Sequence, residues 1–331
     1  MKKLILCLAV LAPLAGCREE DPDGPNLNDL YGEFSVVTDI QPSHQSIDFP
    51  SDCDLVFNGE LSKNTDWQIQ LTGANSGAPR TLTGFDRIIS AENAAWNGGA
   101  TTFPSFGLED VYVEISFPNE ADAAVLYDTI TVTATNIDVG TLITGFEDGN
   151  GSNWAFFNQA TVDGRIACGT EESATGNCHY GFNGTVGWDW AIGSVTIRPD
   201  NGGPFGLGAN ASNLYFNMGF KALENIGESS SFVLLWFDED DNGDGVYQEA
   251  TEDRFTFEYW SKYSTWNLIT KNYNDLQFDS EGAAVVTNGN GLPEPDKLVS
   301  INVFFLANPD NGNARAIVDQ LIFTENEPYT P

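Results

Sequence analysis

Basic residues are scarce. Fourteen lysines and arginines stand against 48 aspartates and glutamates, a formal net charge of −34 over 331 residues. Such a field repels nucleic acid and anionic lipid headgroups, and it disfavours polyanionic substrates unless a cation intervenes. Neutral ligands remain open. Histidine is scarcer still, with only His44 and His179, so a nucleophilic triad has little to draw on, and no Cys/His spacing of a zinc site occurs. No glycine-rich stretch precedes a helical segment, which removes phosphate-cradling loops. The E-x-D-x-x-E run that sets two carboxyls about 5 Å apart in one class of retaining glycosidase is missing. Long apolar runs are missing too: the longest, Leu4 to Ala15, falls short of the ~18–20 residues that span a bilayer.

What the chain has instead is alternation with a period of two. "WQIQLTG" places Trp67, Ile69 and Leu71 on one face, "VYVEISF" does so for Val111, Val113, Ile115 and Phe117, and "DTITVTAT" for Ile130 and Val132, the mark of half-buried strands. Gly, Asn, Asp and Pro clusters punctuate these runs, as in antiparallel sandwiches. The expected class is all-β. Residues 31–136 have the size and strand count of an Ig-like or PKD-like β-sandwich without its paired cysteines. Residues 137–331 suit a larger jelly-roll β-sandwich, with the seam in "TNIDVGTLITGFEDGNGSNW".

The chain opens with "MKKLILCLAVLAPLAGC", two lysines, an apolar run and small residues ahead of Cys17, the layout of a secretion signal. "LAGC" resembles the bacterial lipobox, so residues 1–16 are expected to be a signal peptide and Cys17 the lipidated first residue. "REEDPDGPN" follows. It resembles the export signal of Bacteroidetes surface lipoproteins, and it equally suits a flexible acidic tether over 17–30. The address these signals imply is the outer membrane, lipid-anchored and exposed at the cell surface. Cys168 and Cys178 bracket a short loop that a disulfide would close in an oxidising compartment, free thiols being the alternative. Cys53 is left over, expected as a small buried hydrophobe.

Eight acidic side chains and no basic one fall between Asp238 and Asp253. Carboxylates so crowded repel one another unless a cation neutralises them. "DEDDNGDGVYQE" matches the calcium-loop pattern with Asp238, Asp240, Asn242, Gly243 and Glu249 in place. A second register uses Asp240, Asn242 and Asp244 before Gly245, with the Val246 carbonyl next and Glu249, Glu252 or Asp253 closing the shell. The flanks "FVLLWF" and "FTFEYW" are strand-like, so the expectation is a structural Ca²⁺ site between strands; a solvated acidic hairpin without metal is the alternative.

A pyranose ring offers a face of C–H bonds and an edge of hydroxyls, which calls for a flat aromatic and a few amides or carboxylates. In "RFTFEYW", Phe255, Phe257 and Tyr259 share a core face and Trp260 falls on the polar one, with Tyr263 and Trp266 close by in sequence. Trp188 and Trp190 share a face in "GWDWAIG", and Trp154 lies in a Gly/Asn-rich approach to the second unit. Core packing competes for each of these rings, and it is the expectation for Trp67 and Trp96.

In their order along the chain, "GFEDG…NW", "LGANASNLYFNMGFK", "DEDDNGDGVYQE", "KLVSINVFFLA" and "AIVDQLIFTE" resemble the carbohydrate-binding-module-like domains of SusE/SGBP-like surface glycan-binding lipoproteins. The resemblance covers the second half. It implies a non-catalytic protein that captures a neutral polysaccharide, a β-glucan such as laminarin, for a neighbouring SusC/SusD-type transporter. Two alternatives remain: a jelly-roll glycoside hydrolase or lyase, and a structural or adhesive surface protein with every indole buried.

Overall fold

The computed structural model describes residues 32–135, 140–159, 161–169, 173–186, 191–223, 232–260, 264–278, 288–307 and 312–331. The leader, Cys17 and the tether lie outside the described residues, as do Trp188, Trp190 and Tyr263.

The chain is all-β. Its first seven strands are β1 (Val36–Pro42), β2 (Ser46–Asp48), β3 (Leu55–Gly73), β4 (Pro79–Ile89), β5 (Ala95–Trp96), β6 (Asp110–Ser116) and β7 (Leu126–Ala134). They form one sheet ordered β1-β3-β6-β7-β2, with β4 and β5 also paired to β3. The 19-residue β3 organises it, because Leu55, Phe57, Leu61, Trp67, Ile69 and Leu71 point into one core along its length. Val111, Val113, Ile115, Ile130 and Val132 meet them from β6 and β7, the strands that period-two patterning predicts. Gly84 on β4 lies against the Trp67 indole, where a Cβ would collide with the ring. Cys53 contradicts its expectation: it follows the short helical turn Phe49–Asp52, has a φ of 64°, and is exposed. The turn ends there, before β3 resumes the inward alternation at Leu55.

The second unit is a sandwich. One sheet runs β10 (Val162–Cys168), β11 (Cys178–Thr185), β19 (Asn313–Glu325), β13 (Leu214–Ala222) and β16 (Asn267–Asn272), with β8 (Thr141–Thr144) on β19. The other runs β17 (Gln277–Phe278), β15 (Arg254–Trp260), β14 (Phe232–Glu239), β18 (Leu298–Leu306), β12 (Ala191–Ile197) and β9 (Ala155–Asn158). From β11 to β14 the chain alternates between the sheets, and it crosses again from β15 to β16, from β16 to β17 and from β18 to β19, a jelly-roll winding. Rings fill the space between: Phe182 stacks on Phe305 at 4.8 Å and Phe216 meets Phe237 edge-on at 5.1 Å. Cys168 and Cys178, opposite one another at the end of the β10–β11 pair, are disulfide-bonded.

A loop of the first unit reaches the outer face of the first sheet. Its Phe103 lies over Gly219, with Trp266 at 6.2 Å and Tyr329 at 6.1 Å, so the second sheet's outer face is on the far side of the sandwich.

Candidate functional site

The two faces of β14 divide its side chains. Val233, Leu235 and Phe237 enter the core, so Leu234, Trp236 and Asp238 point outward. Strand register builds the rows beside them. Trp236 has Thr256 on one side and Asn302 on the other, with Thr196 beyond. Leu234 has Glu258 and Phe304, followed by Ser194 and Phe157. Asp238 has Arg254 and Ser300. The outer face is therefore a sheet of aromatic and hydroxyl or amide side chains.

A connected network holds it. The Arg254 guanidinium sits 4.0 Å from the Trp236 ring centre and 4.5 Å from that of Tyr247, and its Nε donates to Asp238 Oδ1 at 2.6 Å. Asp238 Oδ2 accepts from Ser300 Oγ at 2.5 Å and from Asn302 Nδ2 at 2.9 Å. Asn302 Oδ1 in turn accepts from Thr196 Oγ1 at 2.6 Å. Phe304 lies 4.3 Å from Trp236, centre to centre. The Trp236 Nε1 donor has no partner among the described residues. Trp260 and Phe157 on the same face are 47% and 48% exposed, which leaves large rings open to solvent.

The sequence-predicted platform divides. Trp260 belongs to this face. Trp266 does not: it packs against Phe103 on the other side of the sandwich, Lys221 Nζ lies 5.9 Å from its ring centre, and its carbonyl accepts from Thr102 at 3.4 Å. Trp154 is half-buried, edge-on to Phe146 at 5.9 Å and beside Phe156 at 6.5 Å. Trp236, Phe304, Phe157 and Tyr247 are absent from the sequence reading. In "FVLLWFD" both faces are apolar, which hides the alternation; the signal lies in the partner strands, where "RFTFEYW" and "LVSINVFF" place Thr256, Glu258, Ser300 and Asn302 on one side.

The acidic loop follows β14. Asp238, one of its expected ligands, is committed to the network above. Asp240 folds the turn: its Oδ1 accepts from the N–H groups of Gly243 (2.7 Å) and Asp244 (3.2 Å), and its Oδ2 from Gly245 (2.6 Å). Gly243 and Gly245 have φ of 78° and 86°, a conformation that favours glycine. Asn242 accepts from Asp244 N–H, and Asp244 from Val246 N–H, both at 3.0 Å. Glu252 accepts from Asn242 and Gln248, and Asp253 from Gly289 and Gly291. Glu249 and Val246 are exposed. Much of the loop's negative charge thus answers backbone N–H groups of its own turns.

A tighter group lies beside it. Glu239, Asp241 and Glu294 each bring a carboxylate oxygen within 4.8 Å of the other two. Burial pushes the Glu239 carboxyl up to about 8; the Tyr273 hydroxyl and the Glu294 N–H oppose that, and the charges of Asp241 and Glu294 add to it. None of the three belongs to the loop pattern read from the sequence.

No protein-family model and no curated protein matches the chain. Among solved structures, it is similar to one described as carbohydrate-binding modules from the beta-sandwich super family, at 14% identity and a TM-score of 0.39, over 89% of this chain and 99% of the other. It is similar to a family 11 carbohydrate-binding module from Clostridium thermocellum in complex with a beta-1,3-1,4-mixed-linked tetrasaccharide, at 16% identity and a TM-score of 0.36, over 57% and 98%. A third is SGBP-B from a complex xyloglucan utilization locus in Bacteroides uniformis, at 10% identity and a TM-score of 0.35, over 88% and 73%.

Proposed function

We propose that the face around Trp236 and Arg254 binds a neutral polysaccharide without turning it over. One observation carries the reading: open rings, Trp260 and Phe157, share a sheet face with the ordered Trp236–Arg254–Asp238–Asn302 network. Rings of this kind stack on the C–H face of a pyranose, and the exposed Glu258 and half-buried Thr256 beside them can answer its edge. An open face suits a long chain better than a small molecule, and the net charge of −34 favours an uncharged one.

The carboxylates support binding without turnover. Asp238 is engaged at both oxygens by Arg254, Ser300 and Asn302, which leaves Glu258 as the free carboxylate among the described residues of these rows. Glycoside hydrolysis needs two. A purely adhesive protein would bury its indoles, and Trp260 stays open.

On this reading Cys17 carries the lipid anchor at the cell surface, the first unit (31–136) spaces the second (137–331) from the outer membrane, and the captured chain, a β-glucan such as laminarin, passes to a SusC/SusD-type transporter. The test is native electrophoresis of residues 31–331 through gels containing neutral or acidic polysaccharides. Retardation by a neutral one and not by the acidic ones is expected. Equal mobility in every gel, or release of reducing sugar, contradicts the proposal.

A further inference from the structure

Glu239 continues the inward register of Val233, Leu235 and Phe237, so β14 ends by placing a carboxylate against the core, 0% exposed. Its Oε1 accepts from the Tyr273 hydroxyl and from the Glu294 N–H, both at 2.8 Å. Its Oε2 is buried and meets no donor. Asp241 is similar: Oδ1 accepts from Asn290 Nδ2 at 3.2 Å and Lys297 Nζ at 3.4 Å, while Oδ2 is buried with no donor. Glu294 Oε2 takes Lys297 Nζ at 2.6 Å and Asn290 Nδ2. Lys297 supplies one positive charge against three carboxylates, and it reaches neither orphaned oxygen.

A buried carboxylate oxygen without a donor carries a desolvation cost. A divalent cation would answer both that oxygen's lone pairs and the charge that burial disfavours. Three oxygens within 4.8 Å of one another match the spacing around a single ion bound at about 2.3–2.6 Å.

We propose that Glu239 Oε2, Asp241 Oδ2 and the Glu294 carboxylate bind one divalent cation, with Lys297 remaining on the opposite oxygens. An all-oxygen set of three protein carboxylates suits calcium better than magnesium, which demands near-octahedral geometry and keeps several waters. The ion joins the end of β14 to the segment leading into β18. Asp238 is the preceding residue of β14, so the same ion steadies the strand end that presents the outer network. The ligands are out of step with the ladder Asp238, Asp240, Asn242 and Asp244, whose side chains are engaged elsewhere.

The experiment uses residues 31–331, which contain every described residue, stripped with EDTA and titrated with Ca²⁺ or Mg²⁺ by calorimetry, with melting followed in parallel. One equivalent of Ca²⁺ is expected to bind more tightly than Mg²⁺ and to raise the melting temperature. Asp241→Asn and Glu239→Gln are expected to weaken Ca²⁺ binding on the order of tenfold or more, while Asp244→Asn binds as the unaltered protein does. Asp241 lies nearer the surface, so its variant carries the test if Glu239→Gln does not fold. Absence of Ca²⁺ heat with an unchanged melting curve overturns the site. So does binding that Asp241→Asn leaves intact or that Asp244→Asn abolishes. The readout is the metal alone: a protein that binds calcium and retains no polysaccharide would end the glycan reading and leave this site standing.

Discussion

The guanidinium of Arg254 lies over the ring of Trp236, 4.0 Å from its centre. The same side chain donates to the nearly buried Asp238, so the geometry of an aromatic surface and the neutralisation of a carboxylate depend on one residue. Arg254→Ala removes both. It is expected to cost about 3 kcal/mol of unfolding free energy, because a buried charge loses its partner, and to weaken polysaccharide binding. Arg254→Lys keeps the charge but not the planar stack; its stability loss should be smaller while affinity still falls. Urea unfolding and affinity electrophoresis of the two variants check this.

Two carboxylates should give the pH dependence of stability opposite slopes. Burial alone would raise the Glu109 carboxyl, but the Ser76 hydroxyl and the N–H groups of Gly107, Ser76 and Asn75 hold it below the usual range. A lowered value means stability present above the ordinary carboxylate range and lost as pH falls through the folded value. Glu109→Gln should therefore cost more at pH 7 than at pH 3. Asp319 is the reverse. Burial pushes it up to about 7, against the N–H groups of Thr175, Ala174 and Gln320 and with help from the Glu147 charge. A raised value means stability fully present near pH 4 and lost as pH rises through about 7. Relative to the unaltered protein, Asp319→Asn should gain between pH 4.5 and 8. Urea titrations from pH 3 to pH 8 measure both.

Gly84 is a packing position. With the Trp67 indole against its α-carbon, Gly84→Ala forces the ring or the strand to shift, at about 1–3 kcal/mol. Lower stability with unchanged polysaccharide retardation is expected, since the strained contact lies in the first unit.

β3, β6 and β7 are legible in the sequence because each pairs an apolar face with a polar one, and the turn chemistry between them is dense. β14 is not, because Trp236 and Leu234 make its outer face as apolar as its inner one. Glu239, Asp241 and Glu294 stand outside the metal-loop pattern for a related reason. It reads alternate residues of one loop, whereas this group joins a strand end, a loop residue and a side chain 53 positions further on than Asp241. Trp266 is close to Trp260 in sequence, yet the chain crosses from β15 in one sheet to β16 in the other between them, which separates the two rings. A second-half resemblance built on motif order carries no information on that crossing.

The central claim concerns which rings meet the polysaccharide. Calorimetric titration of the neutral glycan that retards the protein, into Trp236→Ala and Trp266→Ala in parallel, tests it most directly. Loss of about tenfold or more in affinity for Trp236→Ala, with Trp266→Ala binding as the unaltered protein does, is the expected result. Full affinity in Trp236→Ala, or loss confined to Trp266→Ala, would place the ligand elsewhere and contradict the account.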